Sequence, residues 1–309
     1  MMPANRRLVV LAFLAPAILG FTLFFAYPLL ATIGMSFTDY DLINPVKWAG
    51  LRNYTDMFTK DALLKTAVYN TLWMVVVLTV LRVAFALGTA QVIARLKSGV
   101  GLVRTLCYLP SLAPPVAATL AFVFIFNPQT GPVNNVLAAI GIDGPLWFQD
   151  PNWSKPALTL LTLWGSGELM IIILAGLLDV PNDLYEAASL DGAGSVRKFW
   201  HITLPSITPV LLFGVVNSII FALQYFTQAV VAGSAASGAA ELTGSYRYMG
   251  YPENSTLTFP MWLYQQGFRY FHMGYAAALA TVLFIVSFAF TALLVQRMRR
   301  ATNVEEGTA

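Results

Sequence analysis

At 309 residues, 57% of them hydrophobic and only 11% charged, the chain is too poor in charge for a soluble domain, where about a quarter of residues are charged. The composition fits an integral membrane protein with several spans joined by short loops. A net charge of +3 is too small to suggest nucleic-acid binding. The single cysteine, Cys107, excludes an internal disulfide and a cysteine-based metal site.

In chain order, the first apolar stretch, Leu8–Ile33, follows Arg6 and Arg7. It is far longer than a signal-peptide core and is closed by no small-x-small cleavage site, so it is expected to be a retained first span. Further stretches of roughly 20 residues, long enough to cross a bilayer, run near Asn70–Ala94, Thr105–Phe126, Ala157–Leu178, Ile207–Val231 and Met273–Val295. An all-α membrane protein of six transmembrane helices is therefore expected. The loop 37–69 precedes the second span. The loop 127–155 carries Trp147, Phe148 and Trp153, aromatic residues of the kind that sit at membrane interfaces. A third loop, 233–272, opens with the small-residue run GSAASGAA. Residues 1–66 are expected to form an N-terminal helix and loop, 67–300 a five-helix core, and 301–309 a tail.

Lys and Arg set the orientation. With the N-terminus inside, the inner connections hold Arg6, Arg7, Arg95, Lys97, Arg104, Arg197, Lys198, Arg297, Arg299 and Arg300. The inner side then nets about four positive charges and the outer side about one negative. Both termini are expected in the cytoplasm, and so is the segment 181–205 between the fourth and fifth spans.

That segment, PNDLYEAASLDGAGSVRKFWHITLP, is polar between two apolar neighbours. Pro181 suits a first helical turn, and Asp183 followed by Glu186 reads as a capping box. A short helix with Ala187 and Ala188 leaves a shallow face for close approach. Gly192 and Gly194 stand where it must end and turn. A second helix is expected next, with Val196, Phe199, Trp200 and Thr203 on one side and Arg197, Lys198 and His201 on the other, as in an interfacial helix. An ordinary amphipathic connector remains the alternative reading.

PNDLYEAASLDGAGSVRKFWHITLPSITP resembles the EAA loop of the membrane subunits of binding-protein-dependent ABC importers, in the carbohydrate branch. Glu186, Ala187, Ala188, Asp191, Gly192, Ala193, Phe199, Ile202, Leu204 and Pro205 match the motif positions. The blocks WAGLRNYTDMF, GLVRTLCYLPSLAPP, NSTLTF and GYAAALA extend the likeness over nearly the whole chain. The resemblance implies a type I importer permease (MetI-like) fold in a bacterial inner membrane and no enzymatic activity in this chain. It also implies two ABC ATPase subunits that bind ATP and Mg, a second permease subunit, an extracytoplasmic solute-binding protein and a carbohydrate substrate. The segment bearing Tyr185, Glu186, Ala187, Ala188, Asp191, Gly192, Ala193 and Phe199 would couple to an ATPase, with Gly192 allowing the close approach. The chain has no G-x-x-x-x-G-K-[ST] phosphate loop of its own.

Two ionisable residues fall inside expected spans, where they are costly and mark functional sites. Arg82 and Glu168 each lie roughly 17–18 Å from the outer helix end at 1.5 Å per residue. Equal depth and opposite sign fit an ion pair or two walls of one aqueous cavity. Glu168 departs from the apolar or aromatic residue usual in the resembled family. On the fifth span, Asn217, Phe221, Gln224 and Gln228 recur on one helix face, expensive in lipid unless it meets protein or water. Amides bind hydroxyls and aromatic rings stack on sugar faces; Trp164 would join this wall. Helix–helix hydrogen bonding is the competing account of the stripe. Pro110, Pro114 and Pro115 predict a broken third helix.

His201 and His272 are too isolated for a metal site. The competing functional classes are a gradient-driven secondary transporter, which calls for inverted repeats, and an intramembrane enzyme, which calls for nucleophile or metal motifs. Glu168 disfavours a strongly anionic cargo and leaves room for a neutral or amino sugar. The stretch GSAASGAAELTGSYRYMGYPE, with Tyr246, Tyr248 and Tyr251, departs from the family pattern and is expected either to extend a binding-protein surface or to form a mobile loop.

Overall fold

The computed structural model describes residues 4–238 and 249–306; Tyr246 and Tyr248 of the expected loop insertion lie outside them. The chain opens with α1 (Ala4–Phe21), a π-helical turn, and α2 (Tyr27–Met35). A short antiparallel ribbon follows, β1 (Thr38–Asp39) and β2 (Lys47–Trp48), with Thr38 opposite Trp48. Next come α3 (Arg52–Thr59), α4 (Ala62–Ala94), α5 (Val100–Tyr108), α6 (Pro115–Ile125) and α7 (Pro132–Ala139). The middle of the chain holds α8 (Ser154–Trp164), α9 (Gly167–Leu178), α10 (Asn182–Leu190), α11 (Ser195–Lys198) and α12 (Leu204–Ser206). It closes with α13 (Thr208–Leu223), α14 (Thr227–Ala236), α15 (Phe259–Tyr264) and α16 (Met273–Glu306). The expected tail from residue 301 is thus helical as far as Glu306.

Among the described residues, three continuous helical stretches are long and apolar enough to cross a membrane: Val9–Met35, Ala62–Ala94 and Met273–Gln296. Three further pairs are bent: Val100–Leu112 with Pro115–Ile125 by 99°, Ser154–Trp164 with Gly167–Leu178 by 50°, and Ser195–Ser206 with Thr208–Leu223 by 70°. The third-span break falls at the expected prolines, which lack the N–H and crowd the preceding turn. The bend at Ile207, between Pro205 and Pro209, falls at the expected start of the fifth span, whereas two interruptions correct the sequence reading. The fourth span is divided at Gly165–Ser166, and the fifth is interrupted at Gln224–Phe226.

The chain packs as two compact units, residues 1–62 with 262–286 and residues 63–261 with 287–309. The division does not follow the expected boundary at 66, since 262–286 groups with the N-terminal part. In the first unit one carboxylate oxygen joins the two chain segments: Asp61 Oδ2 accepts from Trp262 Nε1 at 2.6 Å and from Tyr275 OH at 2.5 Å. Buried Asn53 donates to Ser36 O and Thr38 O, 2.9 Å each, fixing the ribbon to the end of α2. In the loop beyond β1, the backbone N–H and side-chain amide of Asn44 and the N–H of Ile43 hold the Asp41 carboxyl below the usual carboxylate range.

The second unit is organised on α4. Its buried residues, among them Ala67, Thr71, Met74, Leu78, Ala86 and Ala90, recur at helical spacing. Ala86, Ala90 and Ile93 share a core with Leu169, Met170, Ile173 and Leu174 of α9. Small side chains suit this contact, because packing rather than water exclusion holds helices together in lipid. Farther along the same helix, Asn70 Nδ2 donates to Asn254 O (2.8 Å) and Leu257 O (3.0 Å), and Asn70 Oδ1 accepts from Lys155 Nζ (3.0 Å). Thr71 Oγ1 accepts from the N–H of Phe259. These bonds secure the NSTLTF stretch to α4. Trp147 and Phe148, expected at a membrane interface, are instead buried in protein. The Trp147 ring packs on Phe126 and its Nε1 donates to Asn134 at 2.6 Å; Trp153 remains exposed.

Candidate functional site

The third- and fourth-span breaks and the two sides of the Gln224–Phe226 interruption line one cavity of about 250 Å³. Arg82 of α4 and Pro110, Ser111 and Pro115 at the third-span break line it, as do Trp164 and Glu168 on either side of the fourth-span break, and Asn217, Phe221 and Gln228. Of the expected pathway residues Arg82, Trp164, Glu168, Asn217, Phe221, Gln224 and Gln228, Gln224 is absent from this lining, and so is Pro114 of the third-span prolines. The stripe was expected along one continuous helix, but α13 ends at Leu223 and α14 begins at Thr227. Gln224 therefore sits in the break and is exposed, while Gln228 reaches the cavity from α14.

The breaks are held by specific bonds. Tyr225, 1% exposed, places its hydroxyl 3.2 Å from Thr162 Oγ1 and 3.4 Å from Leu158 O, and its carbonyl accepts from Thr258 Oγ1 at 2.8 Å. Polar groups freed by the interruption are thus satisfied inside the protein, as the membrane interior requires. At the fourth-span break, Ser166 Oγ donates to Leu163 O at 2.6 Å. A Cβ on Gly167 would lie 2.4 Å from Cys107 O and 2.8 Å from the Tyr108 Cα. Only glycine allows the end of α5 so close to the start of α9. Ser111, Thr162 and Tyr225 had no sequence signal beyond polarity in apolar surroundings.

Glu168 lies in the first turn of α9, where the helix dipole favours negative charge. Arg82 is 7% exposed, with Nε and Nη1 buried and without a hydrogen-bond partner. The guanidinium carbon stands 4.6 Å from the centre of the Phe221 ring. The ring expected to stack on a ligand therefore offers one face to Arg82. The ion pairs found among the described residues, Arg52–Asp39 and Lys60–Asp56, lie elsewhere. Arg82 and Glu168 are two walls of one cavity.

The segment 181–205 forms a second candidate site. The helix α10 starts at Asn182 after Pro181 (φ −59°, ψ 131°) and shows no side-chain cap. The expected capping box is not made, because the extended Pro181 starts the helix before Asp183, which stands inside the first turn. At the other end Gly192 has φ +77°. Its N–H donates to Ser189 O at 3.1 Å and that of Ala193 to Ala188 O at 2.8 Å, the paired bonds of a Schellman turn. Glu186, Ala187 and Asp191 are exposed, Ala188 and Ala193 half-buried, and Leu190 is 91% exposed. Tyr185 faces inward, sharing a 2.9 Å hydrogen bond with Thr203 Oγ1.

The second helix of the segment departs from its expected faces. A π-helical turn at Phe199–Thr203 shifts the register, so Thr203 is buried and Phe199 half-buried, while Val196 and Trp200 are exposed. Lys198 turns back to Ser189 rather than sharing an outer polar side with Arg197 and His201.

Comparison with known proteins places this geometry. The family described as "Binding-protein-dependent transport system inner membrane component" matches residues 83–300. The probable ABC transporter permease protein YesP of Bacillus subtilis is 37% identical over 285 residues, 92% of this chain and 88% of that protein. The sulfoquinovosyl glycerol transport system permease protein SmoG of Agrobacterium fabrum is 33% identical over 300 residues, 95% of this chain and 91% of the relative. A chain in the crystal structure of a bacterial alginate ABC transporter, in complex with an alginate pentasaccharide-bound periplasmic protein, superposes with a TM-score of 0.79. At 23% identity over 96% of each chain, it shares the fold.

Proposed function

The chain belongs to the family of binding-protein-dependent transport system inner membrane components, and on that premise we propose that it forms half of the translocation pathway of an ATP-driven sugar importer. It is a multi-pass bacterial inner-membrane protein and a non-enzymatic transport subunit. In this reading six spans, three of them bent, place both termini in the cytoplasm. A second permease completes the pathway, a solute-binding protein delivers cargo outside, and two ATPase subunits bind ATP and Mg inside. The residues that meet an ATPase are those of α10 and its turn, Tyr185 to Ala193, with Phe199 behind them.

The observation that carries the reading is α10 itself. A short helix, closed by a glycine turn and anchored from behind by Tyr185, leaves Leu184, Ala187 and Leu190 exposed. An apolar helical face of this kind fits the cleft of another protein. Through Thr203 the anchor joins α10 to the segment leading into α13, so a pull on α10 reaches an element that lines the cavity. Alternating access then moves the bent helices about the cavity. A sugar cargo is supported by amides, a carboxylate and an indole around one small volume.

The test is reconstitution with the partner permease, ATPases and binding protein. Loaded binding protein is expected to accelerate ATP hydrolysis and drive sugar uptake into proteoliposomes. Uptake by this chain alone under an ion gradient, with no response to ATP, would overturn the reading.

A further inference from the structure

Arg82 and Glu168 carry more than a place on the cavity wall. Arg82 is withdrawn from solvent, with two donor atoms unanswered, and a buried polar atom without a partner is a standing cost. Its position is set from one side by the Phe221 ring at 4.6 Å, a cation–π contact strengthened by desolvation. Arg82 lines the cavity, so its charge bears on whatever fills that volume. Glu168, on another wall, is exposed and supplies acceptors only. The remaining polar lining, Ser111, Thr162, Trp164, Asn217 and Gln228, is uncharged.

Resting on the sugar-permease reading, we propose that Arg82 and Glu168 are specificity-determining residues that make the cavity charge-balanced for a neutral polyhydroxylated ligand. A hydroxyl both donates and accepts, so one sugar answers the guanidinium through its oxygens and the carboxylate through its O–H groups. A carboxylate or sulfonate on the ligand would be attracted by Arg82 but repelled by Glu168 across a small volume. An ammonium group would meet the reverse. Charges of opposite sign on facing walls thus oppose net charge of either sign, and Phe221 acts as the positioning residue for Arg82.

The single cysteine makes the cavity open to direct measurement without transport. In the full-length chain carrying Cys107→Ala and Asn217→Cys, thiol modification is timed with three methanethiosulfonates: sulfonatoethyl, trimethylammonioethyl and glucosyl. Each rate is divided by the reagent's rate with a free thiol. The glucosyl reagent is expected to react fastest, with the two charged reagents within about threefold of each other. Glu168→Gln should favour the sulfonate over the ammonium reagent by about tenfold, and Arg82→Gln should reverse that preference, as local fields in clefts do to counter-ion concentration. A tenfold preference for one charged reagent in the unsubstituted pair would overturn the proposal. So would a ratio unmoved by Glu168→Gln, a variant that leaves Arg82 and its packing untouched. Phe221→Leu should shift the ratio partway toward Arg82→Gln; no shift would remove the positioning role. ATPase stimulation in the reconstituted complex reports separately on the permease reading, so either can fail alone.

Discussion

Gly192 holds φ +77° with nothing within 4 Å of where a Cβ would stand. Its requirement is therefore conformational rather than steric within this chain. A side chain there meets the left-handed penalty of about 1–2 kcal/mol, more for a β-branched residue, and would protrude toward any partner seated on α10. Gly192→Val is expected to leave membrane insertion and the amount of protein unchanged while reducing ATPase co-purification at least tenfold. Gly192→Asn, which tolerates this conformation, should retain more binding. Equal retention by both variants would show that neither turn geometry nor approach matters. The glycine was legible in the sequence because a polar helix had to end there. The missing capping box was not, since it depended on the ψ of Pro181.

At the scale of elements, the fourth and fifth spans show what apolar runs conceal. Each reads as one stretch, yet each is interrupted where polar or small residues find partners on other helices: Gly167 against the end of α5, and Tyr225 between α8 and Thr258. Gly167→Val would drive its side chain into the backbone at Cys107 and Tyr108, a contact no rotamer can relieve. Overpacking of a well-packed interior costs about 1–3 kcal/mol, and backbone contact belongs at the upper end. The variant is expected to unfold in detergent several degrees below the parent and to lose sugar uptake. Unchanged thermal stability would contradict the close approach. The stripe Asn217, Phe221, Gln224 and Gln228 was legible as a helix face, but Gln224 left it because periodicity assumes a helix that continues.

At the scale of the molecule, polar ties join distant parts of the chain. Asp61, just before α4, receives both Trp262 and Tyr275 on one oxygen. Hydrogen bonds to a charged group contribute about 1.5–3 kcal/mol each. Asp61→Ala should therefore loosen 262–286, read as faster amide exchange at the start of α16 and a lower melting temperature. Asp61→Asn should fall between the two, and exchange unaltered in Asp61→Ala would show that the tie holds nothing.

By itself the sequence determined the membrane character, the order of the apolar stretches, the proline break, the glycine turn and the family motif, because composition and local spacing encode these directly. Tertiary structure decided where the fourth and fifth spans break, which way Val196 and Trp200 face, and that Arg82 meets Phe221 and shares a cavity with Glu168. Several of those outcomes depend on surfaces that lie far apart in the chain, as when Gly167 meets Cys107 and Arg82 meets Phe221. Periodicity specifies the faces of a helix, whereas packing selects the neighbour each face receives.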